Sequence, residues 1–231
     1  MKAIILAAGK GTRMRELSET TPKPMLKVLG KTLIEHKLDL IPDAINEVII
    51  VVGYLKDCIT EVLGTQYGRL KITYIEQKEL KGTAHSLFMC KDILKNEEKF
   101  LVMNGDDIYS REDMESCLKE DYAILIRETE SLKAKAKVVF DHYGVIKDII
   151  EKYPDDEKGF INTGMYTLSY KYFDYEMVPI PGGEFGLPQT ILSMKSDVAI
   201  KAVMANFWIQ ITAPEDLLLA EQFLNLNHGK K

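Results

Sequence analysis

Four short apolar, β-branched runs, at 2–6, 47–52, 71–75 and 100–103, are separated by stretches whose apolar residues recur at helical spacing. No other feature of the chain narrows its fold as much. Such runs read as strands buried on both faces, and alternating them with helices builds a parallel sheet covered on each side. The helices are expected at 33–40, 55–63 and 84–93, each with an apolar face.

The first hundred residues are therefore Rossmann-like. After Asp106 the pattern changes to strand-like runs at 122–127, 137–140, 145–150, 161–168 and 198–203 with few helices between them, which suits antiparallel additions to the sheet. The expected fold is a three-layer α/β/α arrangement around a mixed, mainly parallel sheet. The turn-rich stretch 180–187 is expected to be a mobile loop over a site, and 214–225 an amphipathic helix opened by proline and acids. With no repeat or linker, the chain reads as one domain over 1–231, divided into halves at 1–110 and 111–231.

A net charge of −5 argues against bulk binding of nucleic acid, which needs a basic excess to displace counterions. The apolar run 3–8 is too short for a signal peptide core or a membrane span and is interrupted by Gly9-Lys10-Gly11, so a cytoplasmic protein with no membrane partner is expected. Cys58, Cys90 and Cys117 are odd in number, with no metal-ligand spacing, and read as reduced structural residues.

Three elements carry chemistry. Leu6-Ala7-Ala8-Gly9-Lys10-Gly11-Thr12-Arg13-Met14 follows the first strand, where small residues let the backbone approach a ligand and direct N–H groups at phosphate oxygens. It has neither the Walker A ending nor the dinucleotide fingerprint spacing, and alone it is equally a tight turn. Thr21-Pro22-Lys23-Pro24-Met25 holds a lysine between two prolines that restrict its backbone, although a lone lysine there could simply be a surface residue. Asn104-Gly105-Asp106-Asp107 follows the fourth strand, where open α/β sheets place ligands, and its hard oxygens suit Mg²⁺; by itself it is also a type I turn or a helix cap.

In this order, with Gln77 and Gly82-Thr83-Ala84-His85 between the last two, the motifs resemble those of the sugar-1-phosphate nucleotidylyltransferases, from the first residue to about Leu219. The resemblance implies transfer of a nucleotidyl group from a nucleoside triphosphate to a sugar 1-phosphate, with pyrophosphate released and Mg²⁺ as cofactor. It implies that Ala7, Ala8 and Gly9 line the base and ribose, with Leu6, Gly11 and Thr12 completing that loop. Arg13 would grip the triphosphate and Lys23 the α-phosphate. Gln77, Gly82 and Thr83 would meet the pyrimidine edge, and Asp106 would hold the metal. On the acceptor side Gly144, Glu151, Lys152, Asn162 and Gly164 match sugar-phosphate positions, with the small antiparallel addition as their support. Glu151 would take the sugar hydroxyls and Lys152 the sugar phosphate. Tyr153 displaces the usual proline to Pro154, so that loop departs from the family pattern. A phosphate oxygen of the sugar phosphate would attack the α-phosphorus in line, with no covalent enzyme intermediate and no general base, because the nucleophile is already an anion. The protein would mainly align two polyanions and offset their repulsion.

The pattern breaks near the end. Where the family carries Trp-x-Asp-Ile-Gly-Thr-Pro, this chain reads Trp208-Ile209-Gln210-Ile211-Thr212-Ala213-Pro214, so a neutral amide stands where a second metal carboxylate is expected. Three consequences are open: Asp106, phosphates and water hold the metal; Asp107 or another acid compensates; or the chain is a quiet nucleotide-binding sensor. The triphosphate reads as UTP ahead of dTTP or CTP, on the Leu-Ala-Ala-Gly opening. A cytidylyltransferase of an alcohol phosphate such as phosphocholine is the alternative within the superfamily, with Tyr153, Phe160 and Tyr166 as candidates for an aromatic cage. The sequence leaves self-association into a homo-oligomer open.

Overall fold

The structure, a computed structural model, describes residues 1–132, 136–150 and 157–228, the last three as backbone only. Its centre is a sheet of ten strands among the described residues. In chain order these are β1 (Lys2–Ala7), β2 (Glu47–Val52), β3 (Gln66–Tyr67), β4 (Leu70–Glu76), β5 (Phe100–Asn104), β6 (Ala123–Thr129), β7 (Lys137–Phe140), β8 (Ile146–Ile150), β9 (Gly159–Leu168) and β10 (Lys201–Met204). Four of them, in the order β4-β2-β1-β5, are parallel; Ile4 aligns with Ile49 on one side and Val102 on the other. Five consecutive residues of β2, Val48 to Val52, are buried, as a strand covered on both faces requires.

Next to β5 the direction reverses. β9 runs antiparallel to β5 and to β6, and β10 returns parallel to β6. The result is the mixed, mainly parallel α/β architecture expected from the alternation of runs.

The helices are α1 (Leu33–Leu40), α2 (Lys56–Leu63), α3 (Gly82–Phe88), α4 (Arg111–Leu118), α5 (Leu187–Leu192) and α6 (Pro214–His228), with shorter turns between them. One face of the sheet, through Ile5, Val48 and Ile50, packs on Ile34 and Leu38 of α1, Ile59 and Leu63 of α2, and Met114 and Cys117 of α4. The other face, through Ile4, Ile49 and Val102, packs on Ala84 and Leu87 of α3, Leu187 and Ile191 of α5, and Tyr172 and Phe173. A third cluster joins Met14, Leu26 and Val28 to Ile108, Ile211 and Ala220, so α6 closes over the N-terminal loops. α1 begins with a reciprocal cap: Glu35 N–H donates to Thr32 Oγ1 at 3.2 Å, and Thr32 N–H to Glu35 Oε2 at 2.8 Å. No helix among the described residues is long and apolar enough to cross a membrane.

Two expected elements differ. The helix over 84–93 is broken, because Cys90 N–H bonds to Leu87 O three residues back and a separate turn, Lys91–Leu94, follows. The strand over 198–203 starts late, because Val198 N–H is committed to Met194 O and prolongs a turn instead of joining the ladder.

Asp113 of α4 holds the segment before α6. Fully buried, it accepts from Asn206 N–H at 2.8 Å, Asn206 Nδ2 at 3.1 Å and Phe207 N–H at 2.9 Å. Asp113→Ala would orphan three donors, and a loss of about 3 kcal/mol in urea unfolding is expected; an unchanged midpoint would show that water replaces the carboxylate.

Candidate active site

At the carboxyl end of β1 the chain enters the glycine-rich loop, and Gly105 N–H donates to Leu6 O at 2.9 Å, so the loops after β1 and β5 lie side by side. β1 and β5 are also where the strand order turns back, the position at which open α/β sheets form a crevice. A cleft of about 470 Å³ opens there. Leu6, Ala7, Ala8, Gly9, Lys10, Gly11 and Thr12 form one wall, Lys23 and Pro24 another, and Gln77, Gly82 and Thr83 a third. Asn104 and Asp106 line it from the end of β5, and Glu184 reaches in from the far side.

Among the described residues the cleft holds one close ion pair. Lys23, on the short turn Lys23–Met25 after the extended Pro22, donates from Nζ to Asp106 Oδ2 at 2.6 Å. The lysine side chain is 8% exposed and the aspartate 34%, so the pair is sheltered but open to the cleft from the carboxylate side. Beneath it two further charged residues, Asp107 and Lys37, are buried. Asp107 receives Ile211 N–H at 3.4 Å on Oδ1, and burial, then the charge of Asp106, push its carboxyl up from the usual range. Lys37 of α1 donates to the carbonyls of Gly105 and Asp107, and burial pushes its ammonium down.

Gln77 is 3% exposed and its amide is fully engaged: Oε1 accepts from Ser86 Oγ at 2.7 Å, and Nε2 contacts Gly82 O at 3.2 Å and His85 Nδ1 at 2.9 Å. The stretch expected to be a mobile loop is a short hairpin, Pro179–Ile180 with Glu184–Phe185, seated on α3. Phe185 N–H donates to Lys81 O at 2.8 Å, and Leu187 N–H to Thr83 Oγ1 at 3.1 Å. Gly82 takes φ +88°, and a Cβ there would lie 2.5 Å from Phe185 O. Gly82→Ala is therefore expected to unseat the hairpin and lower the melting temperature; an unchanged melting temperature would show that the hairpin tolerates the displacement.

The remaining candidates are dispersed. Arg13 is exposed on the turn Thr12–Met14, next to the lining residues but not among them. Asn162 and Gly164 form an irregularity in β9: Gly164 N–H donates to Asn162 Oδ1 at 2.9 Å, with φ +83°, and a Cβ at Gly164 would overlap the Asn104 side chain at 2.0 Å. They thus abut the cleft through Asn104. Gly144 sits in the turn between β7 and β8, where its carbonyl accepts from Ala202 N–H at 2.8 Å, and it does not line the cleft. Gln210 is exposed in a separate groove with Arg127, Trp208 and Phe223. Glu151, Lys152 and the neighbouring Tyr153 lie outside the described residues.

Sequence reasoning missed Lys37, Asn104 as a lining side chain, and Glu184. Lys37 had a signal: positions 33, 34, 37, 38 and 41 form one helical face, apolar except for that lysine.

A Rossmann-like sheet that brings a glycine-rich loop, a buried lysine and an aspartate to one crevice defines an α/β protein equipped to hold a phosphorylated nucleotide. The chain belongs to the nucleotidyl transferase family, whose model matches residues 2–225. It is 34% identical over 241 residues to the UTP–glucose-1-phosphate uridylyltransferase AglF of Haloferax volcanii, covering 97% of this chain and 96% of that one. It is 33% identical over 227 residues to the bifunctional protein GlmU of Methanocaldococcus jannaschii, covering 97% of this chain but only 54% of the relative, so it spans about half the length of that protein. The crystal structure of HddC from Yersinia pseudotuberculosis superposes with a TM-score of 0.74 at 28% identity, covering 96% of this chain and 99% of that one.

Proposed function

We propose that this chain transfers a nucleotidyl group from a nucleoside triphosphate to a sugar 1-phosphate, with UTP preferred over dTTP and CTP, and releases pyrophosphate. The observation that carries the reading is the Lys23–Asp106 pair, 2.6 Å apart, at the junction of the glycine-rich loop and the end of β5. One cation and one carboxylate side by side suit a reaction in which charge moves across an α-phosphorus between two polyanions. The AglF name supports UTP and glucose 1-phosphate as the first pair to try.

The donor set fits Mg²⁺. Among the described residues no cluster of three or more His, Cys, Asp or Glu side chains could hold a metal unaided. Asp106 supplies one hard oxygen donor, and Mg²⁺ commonly takes one or two carboxylates and completes its shell with substrate phosphates and water. When bound, the ion would offset phosphate charge during transfer. Asp107, tied down in the interior, and Gln210, exposed in another groove, are placed less suitably than Asp106.

The chain's own groups divide the remaining work. Backbone N–H groups of residues 8–12 cradle phosphate oxygens, Lys23 meets the α-phosphate, and the closed network around Gln77 holds the base-side wall rigid. The sugar phosphate enters from the β9 side, where Asn162 and Gly164 back Asn104.

A matrix of UTP, dTTP, CTP, ATP and GTP against hexose, aminosugar and alcohol phosphates, read by pyrophosphate release with Mg²⁺ present, tests the reading. UTP with a hexose 1-phosphate should be fastest. Turnover confined to CTP with an alcohol phosphate would replace the sugar with that acceptor class, and tight triphosphate binding without turnover for any pair would make the chain a sensor.

A further inference from the structure

Lys37 is a fully buried cation that takes no part in the steps proposed above. It projects from the apolar face of α1, beside the buried Ile34 and Leu38. Its ammonium donates to Gly105 O at 3.2 Å and to Asp107 O, the two carbonyls that bracket Asp106. The same nitrogen lies 5.6 Å from the centroid of the Tyr109 ring, whose hydroxyl donates to Thr163 O at 2.8 Å in the β9 irregularity. On the opposite side Gly105 N–H is bound to Leu6 O.

Burying an ammonium is unfavourable compared with an apolar side chain of the same length, unless its donors meet acceptors that water cannot reach. Here they meet the backbone on either side of the cleft aspartate. The Asp106 peptide is thus held by β1 through one hydrogen bond and by α1 through two, while the Asp106 side chain meets Lys23 and stays open to the cleft.

We propose that Lys37 is a positioning residue for the transfer reaction, holding the Gly105 and Asp107 carbonyls so that the Asp106 carboxylate stays against Lys23 in the cleft. The role in turnover rests on the function proposed above; the hold on the loop does not. Lys37 touches no substrate. Its removal should therefore act on the rate of the bound complex and spare triphosphate affinity, because small misplacements of a reacting group lower rate more than binding.

The full chain carrying Lys37→Met, which keeps the stem and removes the donors, is compared with Ile34→Ala, a core truncation one turn earlier on the same face. kcat and KM are measured for UTP with glucose 1-phosphate, and amide hydrogen exchange is followed at Gly105 and Asp106. Lys37→Met should lower kcat about ten- to a hundredfold, with KM for UTP changed less than about threefold. Exchange at Gly105 should accelerate relative to the central β1 amides, and Ile34→Ala should show neither effect in that proportion. Equal losses in the two variants, with no selective exchange at Gly105, would make Lys37 a core residue only and overturn the proposal. If wild type releases no pyrophosphate with any pair, the function proposed above fails, while the exchange comparison still decides whether Lys37 holds the loop. Should Lys37→Met not fold, Lys37→Gln, with two N–H donors on a shorter stem, carries the same comparison and should fall between wild type and the loss described.

Discussion

Asp106→Asn should reduce pyrophosphate release on the order of a thousandfold while the protein remains folded. The carboxylate is 34% exposed at the cleft and paired with Lys23 at 2.6 Å, so the amide keeps the shape and an oxygen for that lysine but removes the charge. Among the described residues it is the best-placed hard anionic ligand for a dication in the cleft, because Asp107 is engaged below and Gln210 lies in a different groove. A neutral amide oxygen binds Mg²⁺ weakly, so raising the Mg²⁺ concentration should recover part of the loss. Thermal unfolding should shift down without loss of the fold, since the amide oxygen still accepts from Lys23 but its sheltered ammonium loses the counter-charge. Activity within a few fold of wild type at low Mg²⁺ would remove Asp106 from the site.

Lys23→Ala is expected to lower kcat/KM about a hundred- to a thousandfold, mostly in kcat. The lysine is almost wholly buried, and its ammonium lies where the proposed α-phosphate contact requires a cation that does not have to be reorganised. Its loss also leaves the Asp106 carboxylate beside a void in the cleft wall. Because the two residues act as a unit, the double variant Lys23→Ala with Asp106→Asn should be little worse than either single one. Steady-state kinetics with the same substrate pair settle it. Losses that multiply in the double variant would show the two acting independently, and a Lys23→Ala enzyme with normal kcat and raised KM would limit the lysine to binding.

How much of this was legible beforehand varied with the kind of interaction involved. The parallel core was legible because burial on two faces demands continuous apolar runs, and β1, β2, β4 and β5 fall on the expected runs to within one residue. The glycine-rich loop, Lys23 and Asp106 were legible as separate motifs at the ends of those strands, and the structure brings them to one crevice. The stretch at 180–187 was legible as turn-rich from its glycines and Pro181. That it is pinned follows from Lys81 O and Thr83 Oγ1, acceptors about a hundred residues away, which no local pattern displays.

By itself, then, the sequence determined the layers, the parallel half of the sheet and the family, because each depends on local periodicity or on short contiguous motifs. Tertiary structure alone decided which of two adjacent carboxylates faces the cleft. Asp106 and Asp107 have identical side chains in consecutive positions, yet Asp106 reaches Lys23 while Asp107 is drawn inward by Ile211 N–H. It also decided the fate of Lys37. A lysine on an apolar helical face either extends to solvent or stays inside, and the choice depends on whether acceptors wait for it there. Here the Gly105 and Asp107 carbonyls wait, about seventy residues further along the chain, so the charge stays buried.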